Sequence, residues 1–181
     1  MEVPKPQPVP VVPEPPKPVK PVQIAKVNPP KPQPPTPPKP KVEEVKADIE
    51  ASGGKALFFN TNAASPDKRT VVCEAIAAQL AEDGGTVACL LPSLAFGSLL
   101  PFVRQEDEAG KTATPKQMNM TLDVMANSLV YWVQEMVSRD LIGRGARIFA
   151  MTSSGSHLVS PSYGVVSAAK AALEAHCRQL A

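Results

Sequence analysis

Residues 145–170 read Gly145-Ala-Arg-Ile-Phe-Ala-Met-Thr-Ser-Ser-Gly-Ser-His-Leu-Val-Ser-Pro-Ser-Tyr-Gly-Val-Val-Ser-Ala-Ala-Lys170. The run 146–151 is apolar and of strand length. It gives way to the hydroxyl-rich turn 152–156, and a helix is expected from about Ser162. Ser153 lies just past the strand, Tyr163 ten residues later, and Lys170 seven after that. On one helix, seven residues turn through about 700°, so Tyr163 and Lys170 fall within about 20° of one face, roughly 10.5 Å apart along the axis. An ammonium beside a phenol favours the phenolate, which suits a proton donor to a developing oxyanion. Ser153 adds a hydrogen bond to the same oxygen. In most helices a Tyr and a Lys seven apart carry no meaning; the strand before them and the hydroxyl-rich turn give this pair its weight.

Upstream the same alternation repeats. Val42, Val45 and Ile49 have helical spacing, with Gly53-Gly54 as a C-terminal cap. Residues 55–60 read as a short strand. Ser65-Pro66 supplies an N-cap and an N1 proline, and Val72, Ile76 and Leu80 line the helix that runs to Asp83. Residues 86–91 form a second expected strand. Thr114-Pro-Lys-Gln117 is a capping box, after which Met118, Leu122, Met125, Leu129, Trp132 and Met136 mark one long helix over 116–139. The order predicts an α/β fold: a Rossmann-like, doubly wound parallel sheet that is incomplete, with about three strands and four helices. Sites in such sheets lie at the carboxyl ends of strands, here residues 60–65, 92–97 and 152–160.

The first 41 residues are of another kind. Of 22 Pro in the chain, 17 lie in the first 40 positions, and the stretch 1–41 carries seven Lys against two Glu. It has too little apolar surface to repay ordering and favours a disordered or polyproline II tail, a stiff solvated spacer. Pro35-Thr-Pro-Pro38 contains PxxP, which a PxxP-reading domain can dock, although so proline-rich a sequence contains PxxP by chance. The domain division is therefore 1–41 and 42–181. The remaining 140 residues carry 12 Lys and Arg against 15 Asp and Glu, which gives no nucleic-acid footprint. No apolar run is long enough for a membrane span, and the N-terminus has no apolar signal region, so the expected compartment is cytoplasmic. Cys73, Cys89 and Cys177 have no metal or disulfide spacing and read as free thiols. His157 reads as a loop residue, His176 has no metal-ligand spacing, and Asn119-Met-Thr121 is a sequon on an amphipathic helix.

From Gly145 to Glu174 the chain resembles the short-chain dehydrogenases/reductases, most closely their enoyl-acyl-carrier-protein reductase branch. That branch spaces its Tyr and Lys as Tyr163 and Lys170 are spaced. The resemblance implies an NAD(P)H-dependent oxidoreductase of fatty acid biosynthesis acting on an enoyl thioester, with NAD or NADP left open. It implies Tyr163 as the group that polarises the substrate carbonyl, Lys170 as the anchor of the nicotinamide ribose, and Ser153 as the active-site Ser. Enoyl reductases often have a second Tyr at the Ser153 position, which is a departure. Pro92-Ser-Leu-Ala-Phe-Gly97 falls where the family contacts its cofactor, so Ser93, Leu94 and Ala95 are carried over as cofactor-binding, although Pro92 departs from the pattern. Asn62 takes the place of an Asp that often contacts the adenine. Met125 stands where many members have a catalytic Asn, so that role is not carried over; Asn127 is the nearby candidate. Members commonly assemble through the long helix and the active-site helix, which implies a homo-oligomer through 116–139 and 162–181.

The match spans 42–181, the middle of a family member. The Gly-x3-Gly-x-Gly turn that seats a pyrophosphate against a helix N-terminus occurs nowhere in the 181 residues. The expectation is a fragment whose first strand lacks its neighbours, while 86–91 and 146–151 still pair, and whose chemistry is inactive in this chain alone. The alternative is a non-catalytic tethering or interaction module that works through the Pro-rich tail.

Overall fold

The computed structural model describes residues 41–103 and 110–181. The tail, with its spacer and PxxP readings, and most of the charged segment 105–111 lie outside the described residues. Residues up to 55 form one unit, whose described part is α1 (Val42–Ala51) and its cap. The Glu44 carboxylate accepts from the Lys41 N–H at the start of α1, and the Gly54 N–H closes its end on the Ile49 carbonyl. No residue of α1 is buried.

The second unit, 56–181, holds the sheet. Helix α2 (Pro66–Asp83) begins behind Ser65, as the Ser-Pro pair predicts, yet the Ser65 hydroxyl makes no capping bond. Strand β1 (Val87–Leu90) pairs in parallel with β2 (Ile142–Ile148). The first expected strand, 55–60, is absent. A strand exists only where its N–H and C=O groups meet a ladder partner, and β1 is bonded to β2 alone, so this segment runs without one. Leu57 and Phe58 are accordingly exposed.

Strand β2 also starts four residues before the expected 146–151 and ends three before it. Its register is uneven: Val87 faces Ile142, whereas Cys89 faces Arg147. Two residues of β1 thus match five of β2, and the surplus bulges out around Arg144. The ladder closes at both ends, from Val87 N–H to the Leu141 carbonyl (2.7 Å) and from Phe149 N–H to the Leu90 carbonyl (2.9 Å).

The expected long helix is interrupted. It comprises α3 (Pro115–Leu122), a π-helical turn (Asp123–Asn127) and α4 (Ser128–Ser138). The Thr114 capping box forms as predicted: the Gln117 N–H donates to Thr114 Oγ1 at 3.3 Å, and the Thr114 N–H to Gln117 Oε1 at 3.0 Å. Within the π turn Ser128 Oγ donates to the Val124 carbonyl at 2.7 Å. Such back-bonding competes with the regular ladder and bends helices.

Helix α4 is the centre of the core. Its Leu129 and Val133 pack with Ala126 and with Leu173 of α5 (Gly164–Leu180). One turn further along the same face, its Met136 packs with Cys73 of α2 and with Leu141. Leu90 of β1 touches both clusters, so the sheet and three helices share one apolar interior. All three cysteines are free, and burial raises the Cys73 thiol pKa, with Glu135 adding to the shift. Among the described residues no helix is long and apolar enough to cross a membrane, and no cluster of His, Cys, Asp or Glu has the grouping of a metal site.

Candidate active site

The site is built where β2 ends and α5 begins. Past β2 the chain leaves as residues 149–153 and makes a short 3₁₀ turn (Ser154–Ser156). Tyr163 stands one residue before α5 rather than within it, but its carbonyl already accepts the Ser167 N–H at 2.8 Å. The helical phase therefore holds from Tyr163 to Lys170, and the two share a face. Tyr163 Oη lies 3.2 Å from Ser153 Oγ, and either hydroxyl can donate. Lys170 is 7% exposed and donates to the Met151 carbonyl. Burial lowers the pKa of its ammonium, as desolvation disfavours a charge. Ser153, Tyr163 and Lys170 are thus brought together, with Lys170 joined to the strand exit rather than to the phenol.

Two glycines make the approach possible. A Cβ on Gly155 would lie 2.2 Å from Tyr163 Cε1, so only glycine lets the 3₁₀ turn cover that ring. A Cβ on Gly97 would meet Thr121 Cγ2 at 2.8 Å and Val166 Cγ2 at 2.9 Å. Gly97 therefore lets the segment after β1 press against α3 and α5. Beside it, Met125 and Val166 pack with Tyr163 and fix the floor under the ring.

The residues carried over for the cofactor fall into two groups. Ser93 and Leu94 line a mostly apolar cleft of about 370 Å³ together with Ala63, Trp132 and Met136, whereas Ala95 is exposed outside it. Asn62 precedes Ala63 and is occupied by its own turn: its Oδ1 accepts the Ala64 N–H, and its carbonyl the Ser65 N–H, both at 3.0 Å. Trp132 Nε1 donates to the Ala63 carbonyl at 3.0 Å and ties this turn to α4. Asn127 does not join Ser153 and Tyr163 but pairs with His176 Nε2 on α5 at 3.0 Å. His157 lies on the loop, with its Nδ1 2.8 Å from Ser156 Oγ.

Sequence reasoning missed Gly155, the Met151 carbonyl and Glu174. Glu174 Oε1 accepts from Thr152 Oγ1 at 2.5 Å. Its position one turn beyond Lys170 was a usable signal, since residues four apart share a helix face.

Comparisons with known proteins bear on the family and the fold. The family model described as "Enoyl-(Acyl carrier protein) reductase" matches residues 37–181. Among solved structures, the enoyl-acyl-carrier-protein reductase of Anaplasma phagocytophilum in complex with NAD is 22% identical, with a TM-score of 0.57 over 76% of this chain and 49% of that one. The NADH enzyme of Aquifex aeolicus is 22% identical, with a TM-score of 0.59 over 77% of this chain and 55% of that one. The Bacillus cereus enzyme, bound to NADP+ and indole naphthyridinone, is 21% identical, with a TM-score of 0.60 over 76% and 50%. No curated protein matches the chain. The chain spans about half the length of these solved structures, and their likeness shows the incomplete Rossmann-like fold. On the family match over residues 37–181, the chain belongs to the enoyl-(acyl carrier protein) reductase family.

Proposed function

We propose that this chain carries the carbonyl-activating end of an NAD(P)H-dependent enoyl thioester reductase site. The observation that carries the reading is the 3.2 Å contact of Ser153 Oγ and Tyr163 Oη, on the face where Lys170 is buried. Reduced nicotinamide, when bound, supplies the hydride. In the reduction of an enoyl thioester, negative charge would develop on the thioester oxygen. The Tyr163 hydroxyl is the donor placed to meet this charge, and Ser153 steadies it from the side. Lys170 contributes positive charge from the same helix face. Preorganised donors of this kind are worth most where the site excludes water.

The nicotinamide end fits the residues present. An ammonium has three N–H donors, and the Met151 carbonyl takes one of them, which leaves donors for the hydroxyls of a ribose. The pyrophosphate end has no such support, because the 181 residues contain no Gly-x3-Gly-x-Gly turn. By itself the chain is therefore proposed to bind cofactor weakly and not to turn over. An acyl thioester is the proposed substrate class, and association of copies through the long helix and α5 the proposed assembly.

Nuclear magnetic resonance at millimolar NADH and NADPH tests both parts. Shifts centred on Ser153, Tyr163 and Lys170 that vanish in Lys170→Met are the expected result. Shifts confined to other surfaces would overturn the site, and micromolar binding by the isolated chain would overturn the claim of weak affinity.

A further inference from the structure

Three successive residues at the exit of β2 are held by three residues of one helix face. The Met151 carbonyl accepts from Lys170, the Thr152 hydroxyl donates to Glu174, and the Ser153 hydroxyl meets Tyr163. Tyr163, Lys170 and Glu174 follow at intervals of seven and four, within about 40° of one face. Lys170 and Glu174 have the spacing of a helical ion pair, yet both are directed at the loop. The loop's own bonds continue the clamp: Ser156 Oγ donates to the Ser153 carbonyl at 2.9 Å, and the Ser156 N–H reaches the same carbonyl at 3.1 Å.

We infer that Glu174 is a positioning residue whose carboxylate, by accepting from Thr152, sets the height at which Ser153 Oγ meets Tyr163 Oη. Extended backbone advances about 3.3 Å per residue, the full length of the Ser153–Tyr163 contact. A strand exit free to slide by a fraction of a residue therefore loses that contact. Lys170 alone does not fix the slide, because it grips a carbonyl on the other side of the Thr152 peptide. The Glu174 bond supplies the second point that a rigid placement needs.

The charge on Glu174 is favoured by the same neighbours. Hydrogen bonds from Thr152 and then Ser156 lower its carboxyl pKa, and the His157 and Arg178 charges act in the same direction. A carboxyl with a lowered folded pKa holds its interactions above its unfolded value and loses them as pH falls through the folded one. The clamp thus has its full charge-assisted strength at neutral pH and weakens only in acid, where the neutral carboxyl still accepts but less strongly. Ser156 Oγ also lies 2.8 Å from His157 Nδ1. A hydroxyl has one proton, so when Ser156 donates to a carbonyl or carboxylate, His157 Nδ1 is the donor to it.

The inference rests on the proposed reductase reading only for the use made of the Ser153–Tyr163 pair. Its test contains no cofactor, so the two can fail separately. The chain is labelled with 3-fluorotyrosine and the Tyr163 resonance is assigned with Tyr131→Phe. In the wild type this resonance is expected to move once in acid, below the ordinary carboxyl range, and not to move in E174Q. At neutral pH, E174Q should stand near the position the wild type reaches in acid, because an amide oxygen, like a protonated carboxyl, accepts from Thr152 without the charge, while E174A is displaced further. His157→Gln separates any histidine transition from that of Glu174. Amide exchange at 152–156 should rise about tenfold or more in E174A, with α5 protected as before. A Tyr163 resonance that ignores both acid and E174A would overturn the proposal. Loss of protection throughout α5 in E174A would also overturn it, by reducing Glu174 to a general support of the helix.

Discussion

Ser153 Oγ and Tyr163 Oη stand 3.2 Å apart, although one ends a strand exit and the other begins a helix. Neither residue is placed by local conformation alone. The contact exists because the intervening loop folds back over Gly155 and because the floor under the ring is packed by Met125 and Val166. A double-mutant cycle of Ser153→Ala and Tyr163→Phe should therefore give a coupling of about 0.5–1.5 kcal/mol in urea unfolding. A coupling near zero would show that the hydroxyls do not bond in solution.

Gly155→Ala places a methyl group 2.2 Å from Tyr163 Cε1. Neither the ring nor the turn can yield without disturbing the other, so the variant should lose about 1–3 kcal/mol, the usual cost of overpacking. The same substitution should abolish the Ser153–Tyr163 coupling. A Gly155→Ala chain of unchanged stability and unchanged coupling would refute the close approach.

Arg69 is 8% exposed, and its Nε and Nη1 have no hydrogen-bond partner among the described residues. Its guanidinium lies over the Tyr131 ring, 5.4 Å from the centroid. Stacking of this kind contributes about 0.5–2 kcal/mol, while each unsatisfied buried donor costs about 1–3 kcal/mol. The cost prevails. Arg69→Met should raise stability by about 1 kcal/mol, read as a higher urea midpoint with unchanged slope.

Lys170 gives a pH signature of definite sign. Burial lowers its folded pKa below the ordinary 10.5, so between the two values the unfolded chain holds a proton that the folded chain has lost. Stability rises with pH wherever the unfolded state binds more protons. Compared with Lys170→Met, the wild type should gain in relative stability as pH climbs through the lowered value toward 10.5. Urea midpoints of the pair measured from pH 7 upward check this; a constant gap would mean that the ammonium is solvated.

The sequence revealed what depends on period and punctuation. The Thr114 capping box and the Ser65-Pro66 helix start followed from spacing, and the pairing of β1 with β2 from the family resemblance. The face shared by Tyr163 and Lys170 also followed from spacing, even though Tyr163 sits one residue outside α5. The failures concern relations that one segment does not encode. Residues 55–60 have strand composition, but a ladder requires a partner. The π turn at Asp123–Asn127 leaves no mark on the sequence, because the apolar spacing of 4, 3, 4, 3, 4 runs through it unbroken. Asn62 was carried over by its family position, and nothing in its own segment shows that its Oδ1 closes the local turn. Gly155 carries no signal within its own segment, since the ring it admits is eight residues away.

The five-against-two match between β2 and β1 has a practical corollary. Three residues near Arg144 lie outside the count that the ladder enforces, so the sheet has slack at this point, as a belt has spare holes. Chain length there is not read by the pairing on either side: the bonds from Val87 to Leu141 and from Phe149 to Leu90 anchor the ends independently. A splice at the bulge, whether a short epitope or a labelling tag, would therefore lengthen the loop without shifting Thr152 or Ser153. It offers a handle on the molecule that leaves the Ser153–Tyr163 spacing undisturbed.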